Sequence, residues 1–545
     1  MIIALCQIDP IIGNLEYNKK KILDEYKKAI DANADLAIFP ELSLVGYPPL
    51  DLVEKSEFRK AVNTASKEIA AQTSNVGLIF GAITEDNDNI GTDIHNSAIL
   101  CFDGKIQFIQ HKTLIPNYDV FDEMRYFDSA ESVSVFDFKG ETLGISICED
   151  IWNDADYWYR RRYHKDPVKD LINQHSTILI NISASPYSYG KRADRKKMLS
   201  VLTKKDKIPL AYVCCVGAQT DLIFDGASMC IDKAGNLVNL GKAFEEDFIL
   251  FDTLKEYQPI ENCEGTFEEE VYNSLVFGLK EYCTKLGFNK VLIGLSGGMD
   301  SALVTCIAVA ALGPENVQVI LLPSKYSSPG SVSDSEALIS HLGIQSKNVS
   351  IQPVVDETLN QIKSVLNNDI KSLTEENLQA RVRGLYLMTY SNNLGHLLLT
   401  TGNKSEMAVG YCTLYGDMCG GLAVIADVYK TDVYRIANYI NRNGEIIPQA
   451  IIDKAPSAEL KPNQSDQDTL PSYEVLDKIL RMYLEENKEY NEIKDIIGDE
   501  ILVKKILRMV DLNEFKRNQA APALRVSTKA FGFGRRYPIV QGWRK

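Results

Sequence analysis

Short apolar runs and amphipathic stretches alternate from the start of the chain. IIALCQI at residues 2–8 reads as a buried strand, residues 16–32 as a charged amphipathic helix, and DLAIFP as a second strand. A helix near 58–71 and the strand VGLIFGAIT follow. Paired strands then take over. Residues 96–108 read as a hairpin turned by Asp103-Gly104, and 133–148 as another turned near Lys139-Gly140. STILINISAS and PLAYVCCVG are further buried strands, with hairpin-like segments continuing to about residue 251. Mixed ββ and βα units predict stacked sheets flanked by helices, not one doubly wound sheet.

A polar stretch, TLKEYQPIENCEG, breaks this pattern and sets the expected organisation: one domain over 1–252, a linker over 253–265 and a second domain over 266–545. Beyond it a helix at 266–286 precedes the strand KVLIGLS, a helix from Ser301, the strand VQVILLP, a helix near 331–342 and the strand NVSIQPV. Regular β-α-β-α order predicts a parallel sheet covered by helices, with ligands at the carboxyl ends of its strands. Residues 456–473, polar and rich in Pro, Ser and Asp, predict a long mobile loop of the kind that covers active sites.

Composition narrows the classes. Across 545 residues, 59 Lys and Arg face 74 Asp and Glu, a net charge of −15 that makes a poor bulk partner for nucleic acid or anionic membrane. The longest apolar stretch, 302–312, is interrupted by Thr and Cys and falls short of the ~18–20 residues of a membrane span. The first residues read as a strand, with no signal-peptide pattern, so a cytoplasmic location is expected. Eleven scattered cysteines, odd in number, read mostly as buried free thiols. No C-x-x-C or H-x-x-x-H spacing occurs, which argues against structural zinc.

Chemistry concentrates in two places. LSGGMDS, 295–301, follows a strand and opens a helix. Its small residues let backbone N–H groups close on phosphate oxygens at a helix N-terminus, and Asp300 supplies a carboxylate of the kind that holds Mg²⁺ among phosphates. No lysine-type phosphate loop or G-x-G-x-x-G occurs. SGGMDS resembles the pyrophosphate-loop ATPases, which adenylate a carboxylate or carbonyl oxygen before an amine displaces AMP. ENLQARVRG (376–384), TTGNKSE (400–406), YGDMCGGLAVIADVYKTDVY (415–434) and KRNQAAPALRVSTKAFGFGRRYPI (516–539) resemble NAD⁺ synthetase, with AAPAL a local departure from the family pattern. The resemblance implies ATP contacts at Gly294, Leu295, Ser296, Gly297, Gly298, Met299, Asp300, Ser301 and Thr401. It implies deamido-NAD⁺ contacts at Asn377, Glu406 and Lys516, metal at Asp300 and Glu406, and further contacts at Asp417 and Lys430.

In the first half, Glu41 ends LAIFPE, Lys112 lies in HKTLIPNYDVFDEMRYF, and Cys148 ends a strand in GISICEDIW. A thiol needs a base and nearby positive charge to act as a nucleophile; Glu and Lys supply both. FPEL, the Lys-x-x-L/I-P string and CED-x-W resemble the nitrilase superfamily amidases, which implies an αββα sandwich. Similarity to the glutaminase domain of the glutamine-dependent NAD⁺ synthetases implies glutamine contacts at Tyr118, Ser185 and Lys191, with Glu123 and Glu149 in support.

The resemblance spans residues 2–541. It implies ATP-dependent amidation of deamido-NAD⁺ with glutamine nitrogen, ATP as substrate with Mg²⁺, small-molecule substrates alone, and a homo-oligomer. Because ammonia in neutral water is largely protonated, a shielded passage between the sites is expected. Two alternatives remain at this level: another pyrophosphate-loop amidotransferase, and a catalytically silent binding protein. The first would carry a different glutaminase, either a Cys-His-Glu type or an N-terminal Cys type, whereas residue 2 here is Ile.

Overall fold

The first apolar run becomes the strand Ile2–Gln7, paired in parallel with Leu36–Ile38 and antiparallel with Asp247–Asp252. A computed structural model describes residues 1–86, 91–154, 157–366 and 369–543. It divides the chain into two units, Met1–Gly265 and Thr266–Lys545.

In the first unit one six-stranded sheet runs in the order Asp247–Asp252, Ile2–Gln7, Leu36–Ile38, Gly77–Glu85, Ile94–Phe102, Lys105–His111. The other six-stranded sheet runs Leu237–Leu240, Met229–Ile231, Leu210–Cys214, Ile178–Ser183, Glu141–Ile147, Phe136–Phe138. Strand alternation sorts the side chains. Ile3 and Leu5 meet Ile145, Ile147, Ile180 and Val213 between the sheets. Ala4 and Cys6 instead face Ile22, Tyr26, Val62 and Ile69 of the helices Leu15–Asp31 and Ser56–Ala71. Pro167–Asn173 and Lys191–Asp206 cover the second sheet through Val168, Met198 and Leu202. Burial on both faces explains why these strands read as continuous apolar runs. The layers are αββα.

Both predicted hairpin turns form. Asp103 (φ 49°) with Gly104 (φ 75°), and Lys139 (φ 48°) with Gly140 (φ 83°), take the left-handed pairs that match strand twist. Residues 253–265 pack along the first unit: Ile260 donates its N–H to the Leu237 carbonyl at 2.7 Å, and the Arg192 guanidinium donates to the Cys263 carbonyl at 3.0 Å.

The second unit is built on a parallel sheet ordered Gln345–Asn348, Val317–Leu321, Val291–Gly294, Leu397–Thr400, Leu422–Ala423. The expected strand NVSIQPV is corrected here. Pairing falls on Gln345–Asn348, and Gln352 opens the helix Gln352–Leu366. That edge strand is exposed at every position and carries no apolar residue, so hydrophobic patterning cannot mark it. The apolar Ile351 that suggested a strand is buried in the layer below. The helix after the glycine-rich loop is Met299–Leu312, two residues earlier than expected, which puts Asp300 in its first turn.

The long polar loop before the helix Tyr473–Leu484 is irregular apart from the short turn Asp466–Asp468. It makes hydrogen bonds to the rest of its unit. The Glu459 carboxylate accepts hydrogen bonds from Ser328 Oγ (3.0 Å), Ser331 Oγ (2.7 Å) and Lys454 Nζ (2.9 Å). All eleven cysteines are free and nine are buried. Among the described residues no helix is long and apolar enough to cross a membrane, and no cluster of three or more His, Cys, Asp or Glu could hold a metal.

Candidate active sites

The three residues expected to carry the first site's chemistry each follow the carboxyl end of a strand: Glu41 after Leu36–Ile38, Lys112 after Lys105–His111, Cys148 after Glu141–Ile147. The chain turns sharply there, with Leu42 at φ 47° and Cys148 at φ 43°. Gly81 on the neighbouring strand admits the turn, since a Cβ there would lie 2.1 Å from the Leu42 nitrogen.

The charges interlock. Lys112 Nζ donates to Glu41 Oε1 at 2.7 Å and to Glu123 Oε1 and Oε2 at 2.9 and 2.8 Å. Glu41 Oε1 also accepts from Asn96 Nδ2 at 2.7 Å, and its Oε2 from the Ala184 N–H at 2.8 Å. The Tyr47 hydroxyl donates to Glu123 at 2.9 Å. Lys112, Glu41 and Glu123 are 0, 1 and 5 % exposed. Burial alone would depress Lys112, but the Glu123 and Glu41 carboxylates raise it, so the ammonium stays charged. Burial pushes Glu123 up to about 7, with Lys112 opposing. Burial and then the Glu41 charge hold the Cys148 thiol well above its usual range, while Lys112 pulls it down. These groups therefore act on one another, with the thiol protonated at rest.

Beside the thiol, Glu149 accepts from the Tyr118 hydroxyl at 2.9 Å and the Tyr163 hydroxyl at 3.0 Å, and the Arg162 guanidinium lies 3.7 Å over the Tyr118 ring. Ser185 is buried, and Lys191 Nζ donates to the Pro186 carbonyl at 2.9 Å.

In the second unit a cavity of about 500 Å³ gathers the other predicted residues. All of 294–301 except Gly297 line it, as do Asn377, Thr401, Glu406, Asp417, Lys430 and Lys516. Gly297 serves the backbone: its φ is 77°, and a Cβ would meet the Ser331 carbonyl oxygen at 2.3 Å. Lys430 Nζ pairs with Asp300 Oδ2 and lies 3.4 Å from Glu406 Oε1, while Asn403 Nδ2 donates to Asp300 Oδ1 at 3.0 Å. Burial pushes Glu406 up to about 8; Lys430 opposes this and Asp300 adds to it. Asn377 accepts from Thr413 Oγ1 at 2.9 Å, and Lys516 Nζ donates to the Gly410 and Cys412 carbonyls at 2.7 and 2.8 Å.

Several groups escaped sequence reasoning. Asn96, 55 positions from Glu41, and Tyr47, shortly after Glu41 but 76 positions from Glu123, meet the first site from stretches in which no motif is read. Asp150 stood inside the CED string without being singled out. Arg383, inside ENLQARVRG, lines the cavity with its Nε on the Leu322 carbonyl at 3.1 Å. Among the described residues no carboxylate pairs with it within ion-pair distance.

Known proteins bear on both units. Residues 2–255 match the carbon-nitrogen hydrolase family model and 271–520 the NAD synthase model. A glutamine-dependent NAD(+) synthetase of Synechocystis sp. is 44 % identical over 99 % of each chain. One from Thermotoga maritima is 42 % identical over 100 % of this chain and 99 % of its own. The structure of glutamine-dependent NAD+ synthetase from Acinetobacter baumannii with ADP is 37 % identical, covers 99 % of both chains and superposes with a TM-score of 0.77. The Cytophaga hutchinsonii synthetase structure, at 21 % identity with 99 and 98 % coverage, shares the fold with a TM-score of 0.84. With both of its units matched and its whole length aligned, the chain belongs to the glutamine-dependent NAD(+) synthetases.

Proposed function

We propose that the chain converts deamido-NAD⁺, ATP, glutamine and water into NAD⁺, AMP, pyrophosphate and glutamate, with the residues named above as its two sites. The observation that carries this reading is the buried Lys112 ammonium bridging Glu41 and Glu123 beside Cys148, an arrangement costly to bury unless used. Glu41 takes the thiol proton as sulfur attacks the glutamine amide, and Lys112 meets the developing oxyanion. Glu41 returns the proton to the leaving nitrogen, ammonia departs, and water hydrolyses the glutamyl thioester to glutamate. Glu149 receives the substrate α-ammonium, with Tyr118, Ser185 and Lys191 around the rest of the molecule.

At the second site the amides of 295–301 and the helix N-terminus cradle the ATP phosphates. The nicotinate carboxylate attacks the α-phosphorus, pyrophosphate leaves, and ammonia displaces AMP from the adenylate. Thr401 contacts ATP; Asn377, Glu406 and Lys516 contact deamido-NAD⁺. Asp300 and Glu406 fit a Mg²⁺ ion, because they already share one cation, Lys430, and Mg²⁺ takes one or two carboxylates plus phosphate oxygens and water. Bound there, Mg²⁺ would neutralise phosphate charge. The reading also places the enzyme in the cytoplasm as a homo-oligomer, which light scattering and fractionation test. The decisive assay supplies deamido-NAD⁺, ATP-Mg²⁺ and glutamine and scores NAD⁺, AMP and glutamate together. ADP in place of AMP overturns the pyrophosphate-loop mechanism.

A further inference from the structure

Asp150 performs none of the chemistry proposed above, yet its carboxylate joins the two segments that carry Lys112 and Cys148. Oδ1 accepts the backbone N–H groups of Thr113 at 3.0 Å and Leu114 at 2.7 Å, directly after Lys112. Oδ2 accepts the N–H of Ile147 at 3.0 Å, directly before Cys148. Lys112 leaves a strand of one sheet and Cys148 a strand of the other, so the two sheets' ends meet at this one side chain. A carboxylate that only capped the short turn Cys148–Ile151 would need the Ile147 bond alone. The bonds to Thr113 and Leu114 reach across to the other sheet's terminus.

The setting makes the position exacting. Cys148 holds φ 43°, a conformation uncommon for residues with a side chain. Asp150 is 1 % exposed, so its three donors have no water to fall back on. Burial pushes its carboxyl up to about 7 against those three amides.

We infer that Asp150 is a positioning residue for glutamine hydrolysis, registering the Lys112 ammonium against the Cys148 thiol. The inference rests on Cys148 being the nucleophile. The test is Asp150→Asn, which keeps the size but turns one acceptor oxygen into a donor, so at least one of the three amides loses its partner. Glutaminase kcat is expected to fall about 100-fold, as for a small misplacement of reacting groups, with KM for glutamine changed by less than about threefold. The pH profile of Cys148 alkylation by iodoacetamide is expected to move to higher pH, because the displaced Lys112 charge no longer favours the thiolate and acts on this thiol more strongly than the Asp150 carboxylate that the substitution removes. Ammonia-dependent NAD⁺ synthesis, which bypasses this site, reports an intact second half. Asp150→Glu keeps the charge and both acceptors one methylene farther out, and is expected to fall between wild type and Asn in both readouts.

An unmoved alkylation profile overturns the inference, with or without a loss of kcat, since a merely structural role would leave thiol reactivity in the surviving fold unchanged. A rise in KM alone overturns it too. If Asp150→Asn does not fold, Asp150→Glu is read by the same criterion: a shifted profile supports the inference and an unmoved one overturns it. Cys148→Ala is measured alongside. Glutaminase activity surviving in that variant defeats the nucleophile assignment itself, whereas its loss together with a silent Asp150→Asn defeats only the positioning role.

Discussion

In the first unit charge is buried: the Lys112 ammonium and the two carboxylates that hold it, Glu41 and Glu123, are at most 5 % exposed. In the second unit charge is left open. Lys430 is as deeply placed, but Asp300 and Glu406 keep side chains 17 and 18 % exposed on a cavity wall, and Arg383 lies there without a carboxylate partner among the described residues. The contrast follows from the ligands. Glutamine is a zwitterion without net charge and its reacting amide is neutral, so the protein must supply and compensate the charge that acts there. ATP and deamido-NAD⁺ bring phosphates, so that site holds cationic groups and small-residue backbone ready for charge that arrives with the substrate.

The largest expected effects separate the two sites. Cys148→Ala should abolish glutamine-dependent NAD⁺ formation while ammonium salt at mildly alkaline pH restores it, at a folding cost of about 1–2 kcal/mol. Asp300→Ala should abolish synthesis with either nitrogen source. Measuring NAD⁺ from both donors in both variants checks this pair, and NAD⁺ from glutamine in the first, or from ammonia in the second, would break the division of labour.

The buried network should show next in stability. Lys112→Met leaves Glu41 and Glu123 uncompensated and should destabilise the protein by about 3–5 kcal/mol, read by denaturant unfolding. Lys430→Met should cost less than half as much, because its carboxylates reach the cavity's water, while still abolishing adenylation. Equal losses of stability would erase the contrast between locked and open charge.

Gly297→Ala should cost about 1–3 kcal/mol, since both its φ and the Ser331 carbonyl oppose a side chain. It should also raise KM for ATP without changing glutaminase KM, a split that steady-state kinetics resolves.

The smallest effect is a pH slope. Glu406 has a folded pKa of about 8, raised from its ordinary carboxylate value. Between those two values the folded state binds more protons than the unfolded one, so this group's contribution to stability falls as pH rises from about 4.3 to 8. Glu406→Gln should flatten the decline in melting temperature over that window. A slope equal to the wild type's would mean that Glu406 stays ionised throughout.

Much of the site was legible because it is local. Glu41, Lys112, Cys148 and the 294–301 loop each stand where an apolar run stops, and strand ends and helix starts are written in nearby residues. Stacked sheets flanked by helices were legible in the mixed ββ and βα order, and the αββα layering was implied by the resemblance to the nitrilase superfamily. The edge strand Gln345–Asn348 was not, because it buries nothing.

The sequence by itself therefore determined most of the order of the elements, the family, and where along the chain the residues proposed for the two chemistries stand. Only the tertiary structure decided which groups hold those residues in place. Asn96 on Glu41, Tyr47 on Glu123, Asp150 between Thr113 and Ile147, and Glu459 on Ser331 are pairings across 55, 76, 37 and 128 positions. No periodicity records such pairs, because a hydrogen bond depends on where two backbones meet in space and not on how far apart their residues stand along the chain.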